Sequence, residues 1–136
     1  MVEELRPQAD AKEIRIKEDI QDGIPQFAFD RDKIREVVMN LVENALKYSP
    51  SGDIAVRLEI VSKDGGNVAR MTVRDNGLGI AKEDIARLFT KFTLADSAKA
   101  LDPNGMGLGL YFVKHVVQDH GGIVWATSRG LGKGST

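Results

Sequence analysis

The sequence predicts an α+β domain in which helices cover one face of a single sheet, a two-layer sandwich. Three observations point there. Two long stretches carry apolar residues at helical spacing, and several short stretches alternate apolar and polar residues at strand spacing. The cluster Lys63-Asp64-Gly65-Gly66-Asn67 joins two of the alternating stretches as a hairpin loop does. The 136 residues are enough for one domain with a real core.

Taken in order, residues 1–11 read as a polar lead-in. Lys12–Ile20 alternates in part, through Ile14 and Ile16, and reads as a strand. Asp22-Gly23-Ile24-Pro25 is turn chemistry, and Phe27-Ala28-Phe29 a short strand. Asp30 is placed to cap a helix, with Lys33 where a capping box would have Glu. The helix itself is the clearest element. Ile34, Val37, Val38, Leu41, Val42, Ala45 and Leu46 recur at i, i+3, i+4, i+7, and Ser49-Pro50-Ser51-Gly52 ends it. Ile54–Val61 and Val68–Arg74 are the two arms of the hairpin. Asp75–Ile80 is a glycine-rich loop, Lys82–Leu88 a short helix, and Thr93–Asn104 an irregular loop without period. Leu108–His120 is a second long helix, with Leu110, Val113, Val116 and Val117 inward. Ile123–Ser128 reads as a strand and Gly130–Ser135 as a glycine-rich turn. Met39 and Met71 read as core filler, and Trp125 as sheet packing.

Composition removes several function classes. A net charge of −1 gives no basis for a non-specific grip on nucleic acid or an anionic membrane. The absence of cysteine excludes disulfides, thiolate metal sites and a Cys nucleophile, and is compatible with a reducing cytoplasm. No apolar run approaches the ~18 residues that span a bilayer, and the N-terminus has no signal-peptide core, so a soluble chain is expected. Glycine is the oddity: 14 of 136 residues, above the usual ~7%, mostly after residue 64. Such glycines suit backbone that bends sharply or approaches a ligand closely.

Three segments carry chemistry. On the first long helix, Asn40, Asn44 and Lys47 share a polar stripe, ~130° from the centre of the apolar stripe at ~100° per residue. Amide oxygens there can ligate Mg²⁺, the lysine can meet phosphate, and Tyr48 offers a flat face to a purine or ribose. The same residues would also serve as the polar flank of an ordinary amphipathic helix. In Asp75-Asn76-Gly77-Leu78-Gly79-Ile80 a carboxylate follows an apolar strand directly, where it can accept from an exocyclic amine; a plain strand-to-helix turn would look similar. Gly105-Met106-Gly107-Leu108-Gly109-Leu110 opens the second long helix, and helix N-termini bind phosphate. A dinucleotide fingerprint would instead follow an early strand in a βαβ unit, which is not the context here. His115 and His120 read as helix-surface or C-terminal-turn residues.

The order and spacing of these segments together resemble the GHKL superfamily, with its Bergerat ATP-binding fold, and most of all the catalytic domain of sensor histidine kinases. Asn40-Leu41-Val42-Glu43-Asn44-Ala45-Leu46-Lys47-Tyr48-Ser49 is similar to that family's N box. Asp75–Ile80 resembles its G1 box, Leu88-Phe89-Thr90-Lys91-Phe92 its F box, Gly105–Leu110 its G2 box, and Gly132-Lys133-Gly134-Ser135-Thr136 the start of a final glycine box. The resemblance covers roughly residues 12–136.

The resemblance implies a mixed, mostly antiparallel sheet and a single domain over 1–136. In it, residues 1–11 lead in from a separate dimerisation and phosphoacceptor domain, and 93–105 form a lid over ATP. It implies that Asn44 ligates Mg²⁺, that Asn40 supports the metal–phosphate end, and that Lys47 meets phosphate while Tyr48 packs near ribose or base. Asp75 would read the adenine amino group, with Gly77, Gly79 and Ile80 shaping the base pocket and Phe92 beside it. Lys91 would act with Asn40 and Lys47 in transfer. Gly105, Met106, Gly107, Leu108, Gly109 and Leu110 would hinge the lid and touch phosphate. Three positions depart from the pattern. Met106 replaces a small hydroxyl residue, so phosphate contact there falls to backbone. Lys91 replaces an arginine, losing the bidentate fork. The sequence stops at Thr136, before an aromatic and a closing strand, so an incomplete sheet edge is expected.

The expected activity is transfer of the ATP γ-phosphoryl to a histidine on the separate domain, with Mg²⁺, a response regulator reached through the parent protein, no nucleic acid, a cytoplasmic location beneath a parent that a membrane can anchor, and a monomeric isolated domain. Alternatives within the superfamily are a serine/threonine kinase of the anti-sigma type, a nucleotide sensor that has lost transfer, and a self-sufficient ATPase. The ATPase needs a general-base glutamate at a position held here by Asn40.

Overall fold

The computed structural model describes residues 2–24, 26, 28–49, 51–77, 79–85, 88–89, 109–130, 132 and 134–136. Lys91, Phe92, the segment 93–105 expected to form a lid, and Met106, Gly107 and Leu108 lie outside the described residues. A 3₁₀ turn, Val2–Leu5, leads into α1 (Arg6–Ala11), β1 (Ile14–Ile20), α2 (Arg31–Lys47), β2 (Gly52–Lys63), β3 (Gly66–Arg74), α3 (Lys82–Ile85) and α4 (Gly109–Asp119). The sheet order is β1-β2-β3. β1 runs parallel to β2, with Ile16 opposite Ile54, and β3 runs antiparallel to β2, with Val56 opposite Val73. The parallel pair requires a crossover, and α2 supplies it. The sheet is therefore mixed, and α2 covers it as the sequence predicts. Among the described residues no helix is long and apolar enough to cross a membrane.

Period-2 alternation aims Ile14, Ile16, Ile54 and Val56 at one side of the sheet, where they meet Val38, Val42, Ala45 and Leu46 of α2. Ile54 and Val42 are fully buried. Val37, Ile34 and Leu41 point round the helix from this face and pack on Val113, Val116 and Val117 of α4. So the wide apolar stripe of α2 divides between sheet and helix, and only its polar stripe is left facing outward. Met39 and Met71 pack against the sheet-side core. The other face of the sheet is a charged lattice, in which Asp53 meets Arg15 and Lys17, and Arg57 meets Asp19 and Glu59.

The lead-in is not merely polar. Leu5 and Ala9 are 1% and 2% exposed and belong to the sheet-side core. The hairpin turns on two residues rather than five. Asp64 and Gly65 have φ of 50° and 80°, and Lys63 pairs with Gly66, the left-handed pair whose twist matches the strands. No strand forms at Ala28-Phe29; the ladder of β1 ends at Ile20, and the side chain of Gln21 accepts the Ile60 N–H. Ile123–Ser128 forms no ladder either. Its backbone pairing is the mutual bond of Thr127 with Thr136 (N–H to O, 2.9 and 2.8 Å). Val124 packs inward, but Ile123 and Trp125 are 62% and 57% exposed, so Trp125 is not sheet packing. The short helix is described over Lys82–Ile85, positions 86 and 87 lie outside the described residues, and Leu88 itself lies in a turn.

The cap of α2 is as expected: Asp30 Oδ1 accepts the Lys33 N–H at 3.1 Å. The Asp30 N–H in turn donates to His120 Nε2 at 2.9 Å, joining the start of α2 to the end of α4. Asp30→Ala keeps the backbone donor and removes the cap. Urea unfolding of this variant is expected to show a loss of about 1 kcal/mol, and an unshifted midpoint would deny the cap any role.

Candidate functional site

The site grows from one consequence of the packing. With α2 committed to the sheet on one side and α4 on the next, Asn40, Asn44 and Lys47 line an open cleft of about 1590 Å³, with Tyr48, Asp75, Gly79, Ile80, Gly109 and Leu110. The volume exceeds what a small-molecule site needs. The cleft is also lined by residues of β2–β3 and of the segment Ile123–Thr127, and the site residues expected from the sequence gather at the end where α2, the Asp75 loop and α4 converge.

Asn40 Nδ2 donates to the Glu36 carbonyl at 2.9 Å, which leaves Oδ1 turned away from its own helix. A Cβ on Gly109 would lie 3.0 Å from that oxygen. The first residue of α4 thus abuts Asn40, bringing the partial positive charge of a helix N-terminus beside an amide acceptor. One turn along, Asn44 is half-buried and Lys47 exposed, and the Lys47 ammonium lies 5.9 Å from the Tyr48 ring centroid.

Asp75 follows β3 immediately. Its Oδ1 accepts the Gly77 N–H at 2.8 Å, closing a tight turn, and its Oδ2 accepts from Ser135 Oγ at 2.8 Å. A carboxylate has about four acceptor positions, so it retains capacity for a donor from the cleft. Gly77 is buried, and a Cβ there would lie 2.4 Å from the Tyr48 carbonyl oxygen. That contact locks the loop to the end of α2. Gly79 has φ of +71°, and a Cβ would lie 2.0 Å from the Gly130 carbonyl oxygen.

Ser128 and Ser135 were not singled out by sequence reasoning, yet they hold the loop. Ser128 Oγ accepts the Ile80 N–H at 3.0 Å and donates to the Gly134 carbonyl at 2.7 Å. Ser135 and Asp75 also exchange backbone bonds (2.9 and 3.3 Å). The glycine-rich end of the chain is therefore a brace for Asp75. Ser135 falls in the segment that resembles a final glycine box, which names no partner for it, and Ser128 carries only a hydroxyl beside a glycine run, too common to be informative. His115 is exposed and edge-on to Tyr111, 4.4 Å between centroids, and His120 accepts the Asp30 N–H; neither lies among the residues of the site's convergent end. Among the described residues no group of three His, Cys, Asp or Glu is arranged to hold a metal.

A family profile described as histidine kinase-, DNA gyrase B-, and HSP90-like ATPase matches residues 29–136, from the cap of α2 to the brace of Asp75. The chain belongs to this ATPase-like family. Its similarity to sensor kinases is broad. It is 42% identical over 107 residues to the sensor histidine kinase WalK of Bacillus subtilis, covering 79% of this chain and 17% of that protein. It is 35% identical over 136 residues to the adaptive-response sensory kinase SasA of a Synechococcus strain, covering all of this chain and 35% of that protein. The chain thus spans about a third or less of the curated relatives it matches. Among solved structures, full-length ShkA in complex with AMPPNP superposes with a TM-score of 0.80 at 29% identity, covering 98% of this chain and 26% of that one. The nucleotide-free catalytic domain of the histidine kinase ThkA gives 0.79 at 23% identity, covering 98% and 83%, a likeness of fold.

Proposed function

We propose that this domain is the ATP-binding catalytic part of a two-component sensor histidine kinase, and that it delivers the ATP γ-phosphoryl to a histidine on a separate dimerisation and phosphoacceptor domain. The observation that carries the reading is the convergence of the Asn40–Asn44–Lys47 stripe, the braced Asp75 and the start of α4 on one end of a cleft. The sensor-kinase relatives and the AMPPNP-bound structural neighbour support it.

In this reading Asp75 accepts from the adenine amino group while Gly77, Gly79 and Ile80 shape the base pocket, and Tyr48 packs near the ribose. Lys47 and the N-terminal backbone of α4, at Gly109 and Leu110, neutralise phosphate charge. The donors fit Mg²⁺: its few protein ligands are usually oxygens, with water and phosphate completing the shell, and Asn40 and Asn44, which both line the cleft, carry amide oxygens. Mg²⁺ would supply charge neutralisation across the phosphate oxygens. Lys91, Phe92, Gly105, Met106, Gly107 and Leu108 keep the roles that the resemblance implies. Phosphoryl transfer asks mainly for alignment and charge stabilisation. The acceptor imidazole nitrogen forms the new bond to phosphorus, the bond to the bridging oxygen breaks, and ADP leaves. A hydrolytic ATPase would need a base one turn before Asn44, where Asn40 instead donates to the Glu36 carbonyl.

The test is transfer from γ-labelled Mg·ATP, with the chain alone and mixed with the parent's phosphoacceptor segment. Acid-labile, base-stable label on that segment, with little turnover by the chain alone, is the expected outcome. Label that survives acid would mean a hydroxyl acceptor and the serine-kinase reading. Rapid release of free phosphate would mean an ATPase, and binding with neither product a nucleotide sensor.

A further inference from the structure

Lys12 occupies the turn between α1 and β1 and lines the cleft beside the end of α2, though it lies far in sequence from Lys47 and Tyr48. Its ammonium donates to the carbonyls of Leu46 and Lys47, the latter at 3.4 Å. These belong to the last four carbonyls of α2, which no helical N–H can reach. The Asn44 carbonyl is taken by the Tyr48 N–H at 3.1 Å. Lys12 therefore closes the end of the helix that presents Lys47 and Tyr48 to the cleft, and its positive charge suits the negative end of the helix dipole.

The position of Lys12 is set by α1. The Lys12 N–H bonds to the Ala9 carbonyl and the Glu13 N–H to the Asp10 carbonyl, both at 3.1 Å. Glu13 takes the left-handed conformation, φ 57°, so the turn out of α1 has a defined shape. Leu5 and Ala9 anchor α1 in the same core as Ala45 and Leu46. An unbroken set of contacts thus runs from Leu5 to the C-terminal turn of α2.

We propose that Lys12 is a positioning residue for nucleotide binding: it latches the last turn of α2, and so the geometry of Lys47 and Tyr48, to the seating of α1. The inference rests on the function proposed above and adds a regulatory input to it. Unseating α1 releases the latch, frays the last turn and lowers affinity for ATP.

The experiment is calorimetric titration of Mg·ATP into the full chain carrying Lys12→Met, Lys12→Arg, Ala9→Glu, or Ala9→Glu with Lys12→Met. Each is held well below its own melting midpoint. Lys12→Met is expected to bind about threefold to tenfold more weakly, the value of one hydrogen bond, and to shift the amide resonances of Lys47 and Tyr48. Lys12→Arg, which keeps a charged donor, is expected to restore most of the affinity. Ala9→Glu should weaken binding by a similar factor and the pair by no more than either alone, since they break one linkage. Unchanged affinity in Lys12→Met, with or without a lowered midpoint, would overturn the latch while wild-type binding upholds the site. Losses that multiply in the double variant would overturn the link to α1. A wild-type chain that binds no nucleotide would overturn the proposed function and the latch with it.

Discussion

Asp75→Asn is expected to weaken Mg·ATP binding about tenfold to a hundredfold while leaving the domain folded. The size follows from the proposed role of Asp75 as charged acceptor for the adenine amino group, a charge-assisted bond worth roughly 1.5–3 kcal/mol. The fold should survive because an amide oxygen at position 75 can still accept the Gly77 N–H, the bond that closes the turn. What it cannot do with its –NH₂ group is accept from Ser135 Oγ. Ser135→Ala removes that same bond and leaves the carboxylate, so it separates the brace from the base contact. Calorimetry with ATP alongside thermal unfolding decides the matter. Wild-type affinity in Asp75→Asn would take Asp75 out of the binding site, and a collapsed melting curve would make its role architectural.

Gly79→Ala is expected to cost at least about 2 kcal/mol of stability and to abolish measurable nucleotide binding. Two penalties coincide at this position. The backbone is left-handed, with φ of +71°, and the added Cβ would sit 2.0 Å from the Gly130 carbonyl oxygen, which is held by the turn that braces the loop. Gly23→Ala isolates the first penalty, because Gly23 has nearly the same φ, +73°, with nothing within 4 Å of a Cβ. That variant should lose only about 1–2 kcal/mol and bind nucleotide normally. Equal losses in the two would mean that the packing of the loop on the Gly130 turn contributes nothing.

Much of the candidate site was legible, in that the structure brings together residues that lie in short segments whose spacing has one structural meaning. Asn40, Asn44 and Lys47 fall on one stripe of a helix whose apolar residues leave no other face for them, and Asp75 follows its strand without a gap. The residues that hold these groups were less legible. Ser128 and Ser135 act across the fold on Ile80 and Asp75, Lys12 acts on carbonyls 34 and 35 positions away, and none of the three sits in a pattern that announces a partner.

The fold divides in the same way. The amphipathic α2, its Asp30 cap, the hairpin of β2 and β3 and the helical α4 were determined by the sequence alone, since each rests on local periodicity or on the conformational preference of a few residues. Whether an alternating segment becomes a strand depends on a neighbour to pair with. Ile14–Ile20 found β2, whereas Ile123–Ser128, an apolar run that also reads as a strand, has no ladder and leaves Trp125 exposed. The lead-in depends likewise on what lies beneath it: Leu5 and Ala9 are too few to read as a core helix until β1 and α2 enclose them. Local order follows from the chain's own spacing, but burial, bracing and pairing belong to contacts between distant segments, and only the tertiary structure decided them.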